Sequence, residues 1–266
     1  MIVTELNVYP LKSGGGTTLR EAEITPRGIR HDRELMLVTP DGRHLSQREI
    51  PRLALLRPVY DGWKLRVEPV DPAVVATPLV HDVRRDGEAR DITLFRAPSR
   101  GVDQGDAAAD WFSAVLGTAC RLVCFPDDHV RPLDPRYATG EVGYADTLPL
   151  LVTSPESLAE LNTRLPEPVP MNRFRPNIVV SGWDGPFGED RARRLRIGEV
   201  EVDLVRSCGR CMIVNVDQAT GVRGREPLRA LAGFRNVERR ILFGRTGVPR
   251  TLGGVRVGDP VVVLDR

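Results

Sequence analysis

The first hundred residues break into short apolar-rich runs separated by turn-forming residues at close intervals, and that spacing points to a barrel or a strongly bent sheet. Residues 1–8 open the chain with apolar and polar positions alternating, as in a half-buried strand. Candidate strands follow at 20–25, 34–39, 53–60, 64–70 and 79–83. Pro40-Asp41-Gly42, Asp61-Gly62 and Asp71-Pro72 punctuate them. A helix is expected at 106–116, where Ala107, Ala108, Ala109, Trp111, Phe112 and Val115 give an apolar stripe and Gly117 is placed to cap the C-terminus.

The second half predicts strands at 119–125, 148–153, 177–180, 195–205 and 212–216, with a closing strand at 260–264. A helix is expected to begin at Ser154-Pro155-Glu156: serine suits the N-cap, proline the first turn, and glutamate the positive end of the helix dipole. A shorter helix is expected at 227–233. The fold class is therefore mostly β with a few helices (α+β) around a barrel-like core. A boundary near Gly117 divides an N-terminal unit, 1–117, from a C-terminal unit, 118–266.

Composition excludes some partners. Net charge is only +2 over 266 residues, and no basic stripe with interleaved aromatics suggests nucleic acid. The arginines of 235–240 read as a solvated face. No apolar run approaches the roughly 20 residues of a membrane span, and the chain enters a strand pattern with no signal peptide before it. A cytoplasmic protein with four reduced cysteines is expected. Lys12 and Lys64 are the only lysines. Lys12, in the turn-like 10–16 segment, reads as a surface lysine before a flexible loop.

Chemistry centres on Cys208-Gly209-Arg210-Cys211, between the valine-rich run 200–205 and the apolar run 212–214. A structural zinc would need Cys120 and Cys124 as the other two ligands. On one strand these would lie about 13 Å apart, so they read better as buried inert thiols. A dithiol redox motif is the second option, since an adjacent arginine favours thiolate. It usually opens a helix, whereas β-branched residues follow here. The third option is one thiolate on a metal that brings an organic cofactor, with Lys12-Ser13, Asp32-Arg33 and the 172–177 segment as anion-binding groups.

Taken in order, the segments Tyr9-Pro10-Leu11-Lys12-Ser13, Gly28-Ile29-Arg30-His31-Asp32-Arg33, Tyr144-Ala145-Asp146-Thr147-Leu148-Pro149, Phe174-Arg175-Pro176-Asn177-Ile178, Cys208-Gly209-Arg210-Cys211, Asp217-Gln218-Ala219-Thr220-Gly221 and Gly258-Asp259-Pro260-Val261 run nearly end to end. In this order and spacing the chain resembles MOSC proteins that carry the MOSC N-terminal β-barrel domain, of the type of the mitochondrial amidoxime-reducing component and its bacterial relatives. The resemblance implies a molybdenum cofactor (molybdenum bound by molybdopterin) with Cys211 as the protein ligand to the metal. It carries Lys12, Ser13, Arg33, Asp146, Thr147, Arg175, Asn177 and Arg210 over as cofactor contacts, and Asp184 as a candidate for proton delivery.

The implied reaction is reduction of N-hydroxylated compounds. Electrons would come from a separate ferredoxin- or cytochrome b5-like donor with its reductase, because no cysteine cluster follows the motif. Asn215 stands where the family usually has threonine, and Leu148 where some relatives have a small or polar residue. The rival reading is a non-catalytic carrier of molybdenum cofactor or of sulfur on Cys211.

Overall fold

In the computed structural model, which describes residues 1–75, 77–87 and 89–266, strands dominate and α-helices cover Asp106–Leu116, Pro155–Asn162 and Leu228–Phe234. The largest sheet runs Val261–Asp265, Arg194–Ile197, Val200–Gly209, Arg240–Pro249, Leu150–Thr153, Ile178–Ser181, Ile2–Val8 and Thr17–Leu19. The short strand Asn236–Val237 folds back on Arg240–Pro249. Leu150–Thr153 and Ile178–Ser181 are parallel. The helix Pro155–Asn162 lies in the connection between them, as a parallel pair requires. Inward residues such as Val3, Leu6, Val152, Ile178, Val180, Leu195 and Val202 form one core beneath this sheet.

The expected barrel is not closed by a continuous ladder. Among the described residues, Ile2–Val8, the strand next to one end, meets the segment leading into Val261–Asp265 at one bridge, Ile2 to Pro260, supported by Val3 N–H to the Asp259 carbonyl at 3.0 Å, Gly258 N–H to the Val3 carbonyl at 2.8 Å and Val261 N–H to the Met1 carbonyl at 2.9 Å. Pro260 has no N–H to extend the pairing, so the seam stays short.

A second sheet, Leu35–Val38, Arg121–Cys124, Ala97–Asp103 and Ala89–Leu94, carries the helix Asp106–Leu116. That helix buries Ala108, Phe112 and Val115 in a core shared with Leu35, Leu65 and Leu122. It ends at Gly117, whose left-handed backbone (φ 67°) directs its N–H to the Ser113 carbonyl at 2.9 Å, the expected cap. Ser154 Oγ accepts from Ser157 N at 3.1 Å and caps the second helix, also as expected.

Strand pairing crosses the 117/118 boundary in both directions. Ile2–Val8 pairs with Ile178–Ser181, Glu21–Thr25 with Gly253–Arg256, and Arg121–Cys124 with Leu35–Val38. The two halves of the chain are interleaved by exchanged strands.

Three expected strands are otherwise. The single strand expected over 195–205 is a hairpin, Arg194–Ile197 paired antiparallel with Val200–Gly209 through a left-handed Gly198 (φ 56°). Residues 53–60 begin as a 3₁₀ turn, Pro51–Leu55, before the strand Pro58–Tyr60. Residues 212–216 form a 3₁₀ turn, Met212–Asn215, despite their β-branched side chains. There Val214 N–H reaches the Cys211 carbonyl at 3.2 Å, and Asn215 Oδ1 accepts from Leu228 N at 3.0 Å, so local turn bonds outweigh strand propensity.

Candidate functional site

A cleft of about 370 Å³ lies at the junction of the interleaved halves. Lys12, Ser13, Arg33, Asp146, Thr147, Arg175, Asn177, Arg210 and Cys211 all line it. These nine residues come from five separate stretches of sequence, and the exchanged strands bring them together.

The first wall is the turn after Ile2–Val8. Gly14 N–H bonds the Leu11 carbonyl at 2.9 Å, and Ser13 takes a left-handed backbone (φ 65°) to close the turn. Gln47 Nε2 donates to the Ser13 carbonyl at 2.7 Å and fixes it from outside. Lys12 is not the surface lysine expected from its flexible-looking surroundings; it is only 5% exposed. Its Nζ donates to the Tyr144 carbonyl at 2.8 Å, pairs with Asp146, and lies 4.6 Å from the Phe95 ring centroid. Burial lowers the Lys12 pKa, and Asp146 opposes that shift. Desolvation within the cleft opposes ionisation of Asp146, whose side chain is nonetheless 61% exposed, and Lys12, Arg33 and Arg48 outweigh it and hold its carboxyl at about 2. The carboxylate at this wall stays ionised.

Tyr9 anchors the second wall. The guanidinium groups of Arg33 and Arg175 lie 4.5 Å and 4.3 Å from its ring centroid. Both arginines have left-handed backbones (φ 50° and 55°), an uncommon conformation for side chains of this size, which turns two cations toward one place. Arg33 is neutralised by Asp32, whose other oxygen accepts Tyr9 N–H at 2.9 Å. Among the described residues, Arg175 has no such acid within ion-pair distance, and its guanidinium donates to the Gly14 carbonyl. Burial and then the like charge of Arg33 push the Arg175 pKa down to about 10. Such a pocket favours an incoming anion.

Asn177, at the start of Ile178–Ser181, is fully engaged. Its Oδ1 accepts from Arg33 and from Leu151 N, each at 3.2 Å, and its Nδ2 donates to the Asn7 carbonyl at 3.3 Å. It ties three segments together and orients Arg33. Arg131 holds the 143–147 loop by donating to the Gly143 and Ala145 carbonyls, both at 2.7 Å.

The cysteines stand at the third wall, on Val200–Gly209 and the turn after it. Register slips twice where this strand pairs with Arg240–Pro249, between Leu204 and Arg206 and between Ser207 and Gly209. Bulges re-aim side chains, and here every residue from Arg206 to Cys211 faces the cleft. The two thiols have different partners. Arg210 Nη1 donates to Cys208 Sγ at 2.9 Å and Nη2 to the Phe174 carbonyl at 2.7 Å. Cys211 Sγ instead accepts from Arg48 Nη2 at 3.4 Å, a residue of the N-terminal half. Cys120 and Cys124 are buried in a different part of the molecule.

Asp184 requires a correction. It does not line the cleft; its side chain is 73% exposed and faces Arg266 at 3.6 Å, in a separate small pocket with Met1 and Trp183. The reason is geometric. Asn177 and Asp184 lie beyond opposite ends of Ile178–Ser181, and a left-handed Gly182 (φ 90°) turns the chain away. Arg173 also leaves the cleft, pairing with Asp217 at 2.7 Å, so the 172–177 segment contributes Arg175 and Asn177 but not a double fork.

Three arginines escaped the sequence reading: Arg48 beside Cys211, and Arg206 and Arg240 in the cleft wall. Arg240 is solvent-exposed, as expected of the 235–240 face, and also reaches the cleft wall. In a chain with 38 basic residues, only two of them lysine, no local signal separates these from the rest. Leu148 packs with Leu133, Val142 and Ala145 at the cleft edge.

Six cations line the cleft (Lys12, Arg33, Arg175, Arg206, Arg210 and Arg240) against one acid, Asp146. Arg210 Nε is buried without a hydrogen-bond partner. Cationic walls, hydroxyl groups and a wall carrying Cys208 and Cys211 suit an anionic, phosphate-bearing cofactor with a thiolate-ligated metal.

The fold and site define a class, and sequence comparison agrees. The family model of the MOSC domain matches residues 139–262, and that of the MOSC N-terminal beta barrel domain matches residues 1–119. The chain belongs to the family of MOSC proteins with this N-terminal domain. It is 35% identical to mitochondrial amidoxime-reducing component 1 of Homo sapiens, a match covering 98% of this chain and 82% of that protein. It is 37% identical to mitochondrial amidoxime reducing component 2 of Bos taurus, over 97% and 82%. The crystal structure of the YUAD protein from Bacillus subtilis aligns over 98% of this chain and 93% of its own at a TM-score of 0.42 and 9% identity, too low to bear on function.

Proposed function

We propose that the chain is a molybdenum-cofactor-dependent reductase of N-hydroxylated compounds, with Cys211 as the protein ligand to the metal. The observation that carries this reading is the cleft itself: six cations and one acid surround it, and the half-exposed Cys208 and Cys211 stand on one of its walls. The relatives named amidoxime-reducing components supply the reaction class.

When bound, the cofactor supplies two-electron oxygen-atom chemistry at molybdenum. Reduction of N–OH to N–H consumes two electrons and two protons and releases water. Lys12, Ser13, Arg33, Arg175 and Arg210 would bind the anionic cofactor, and Asn177 would orient Arg33. Thr147, exposed at the mouth, is placed to bound the entry. Asp146, held ionised by Lys12, is a poor proton donor, and Asp184 stands outside the cleft. Protons would then arrive from water through the open side. Arg48 would hold the Cys211 sulfur in place from the other half of the chain.

The electron donor is proposed to be a separate ferredoxin- or cytochrome b5-like protein with its reductase. A cytoplasmic setting suits four cysteines that are all free. The test is turnover: protein made in a cofactor-competent host should reduce benzamidoxime to benzamidine with a chemically reduced viologen as donor. Cofactor binding without turnover would leave a carrier instead.

A further inference from the structure

The cations of the cleft are not equivalent. Lys12 faces Asp146 and Arg33 faces Asp32, while Arg175 rests on the Tyr9 ring. The wall that carries the cysteines is different. Among the described residues, neither Arg206 nor Arg240 has a carboxylate within ion-pair distance, although ion pairs are frequent elsewhere, as at Arg121–Asp103, Arg173–Asp217 and Arg194–Asp203. The acid that feels Arg206, Asp134, is committed to Arg136.

Neutral contacts nonetheless hold both side chains. The Arg206 guanidinium lies 4.2 Å from the Tyr137 ring centroid. Arg240 Nη2 donates to the Ser207 carbonyl at 3.2 Å and crowds the Gly209 backbone, where a Cβ would come within 3.2 Å of it. Glycine at 209 leaves Arg240 room to lie across the motif. The two cations reach the cleft from paired strands, flanking Cys208, with their charge unspent. Guanidinium groups without a counter-ion beside an open cleft are suited to carboxylate or phosphate.

We infer that Arg206 and Arg240 form an anion-recognition subsite at the cysteine end of the cleft, so that preferred substrates carry a carboxylate or phosphate in addition to the reacting N–OH group. The reductase reading supplies only the identity of the reacting group; the anion preference is a property of binding.

Calorimetric titration of the cofactor-loaded protein with benzamidoxime, 4-carboxybenzamidoxime and 4-phosphonobenzamidoxime tests this, the two charged ligands separating carboxylate from phosphate-type recognition. At least one charged ligand should bind about tenfold or more tightly than the neutral parent, the size of one charge-assisted hydrogen bond. The ratio of charged to neutral affinity should fall to near unity in Arg206→Met/Arg240→Met and be largely kept in Arg206→Lys/Arg240→Lys. Because the readout is a ratio within each variant, a general loss of affinity cancels. Equal affinities in the wild type, or a ratio unchanged in the methionine variant, overturns the inference. So does a methionine variant that emerges without molybdenum and pterin, which would make these arginines cofactor ligands. If the ratio behaves as stated but no amidoxime is reduced, the subsite stands and the reductase reading falls.

Discussion

At the residue scale, the Cys-x-x-Cys motif resolves into two unlike sulfurs. Arg210 takes Cys208 and Arg48 takes Cys211, so the pair is split between the two halves of the chain rather than poised as a dithiol. A second residue the reaction does not need also carries a consequence. Glu189 is completely buried, accepts hydroxyl bonds from Ser154 and Ser157 at 2.8–2.9 Å, and has no cation within ion-pair distance among the described residues. Burial raises its pKa above the ordinary 4.5. The folded chain therefore holds this proton more tightly than the unfolded one. Its contribution to stability is full below the ordinary carboxyl pKa and is lost as pH rises through the folded value. Glu189→Gln should shift the urea midpoint upward relative to wild type at pH near 8, and the gap should shrink steadily as pH falls toward 4.5. A gap that widens on acidification would contradict the assignment.

At the element scale, much of the fold was legible because local signals agreed with packing. The helix Asp106–Leu116 shows an apolar stripe and a glycine stop, and Ser154-Pro155-Glu156 announces the next helix; both form at those positions. Other elements were hidden for physical reasons. The hairpin of Ala89–Leu94 and Ala97–Asp103 turns through Phe95 and Arg96 with positive φ (58° and 89°), so no glycine or asparagine marks it. Arg240–Pro249 contains Gly244, Gly247 and Pro249, which read as breakers, although it is the strand that the cysteine wall pairs with. The 3₁₀ turn after Cys211 is held by Asn215, whose Oδ1 accepts from Leu228 N. Asn215→Ala should remove the side-chain acceptor for Leu228 N and destabilise the chain by about 1 kcal/mol, read as a lower midpoint in chemical denaturation. An unchanged midpoint would mean that the turn is held by its backbone bonds alone.

At the scale of the whole molecule, the exchanged strands explain both what the sequence reading reached and what it missed. The contacts carried over from the resemblance converge on one cleft because segments distant in sequence are ordered by shared pairing. Asp184 failed because a motif match carries no information on which end of a four-residue strand a neighbour will occupy. Arg48, Arg206 and Arg240 were missed because charge alone does not distinguish arginines in this composition. The interleaving also predicts cooperativity. Each half lacks a strand supplied by the other, so urea unfolding followed by far-ultraviolet and near-ultraviolet circular dichroism should give one coincident transition. Two separated transitions would show halves that fold independently. The central claim, that Cys211 holds a molybdenum cofactor in this cleft, is tested most directly by metal and pterin analysis of purified wild type, Cys208→Ser and Cys211→Ser. Molybdenum and pterin are expected in equal amounts in the wild type and largely kept in Cys208→Ser, with the metal lost from Cys211→Ser; zinc in place of molybdenum, or equal losses in both variants, would contradict that role for Cys211.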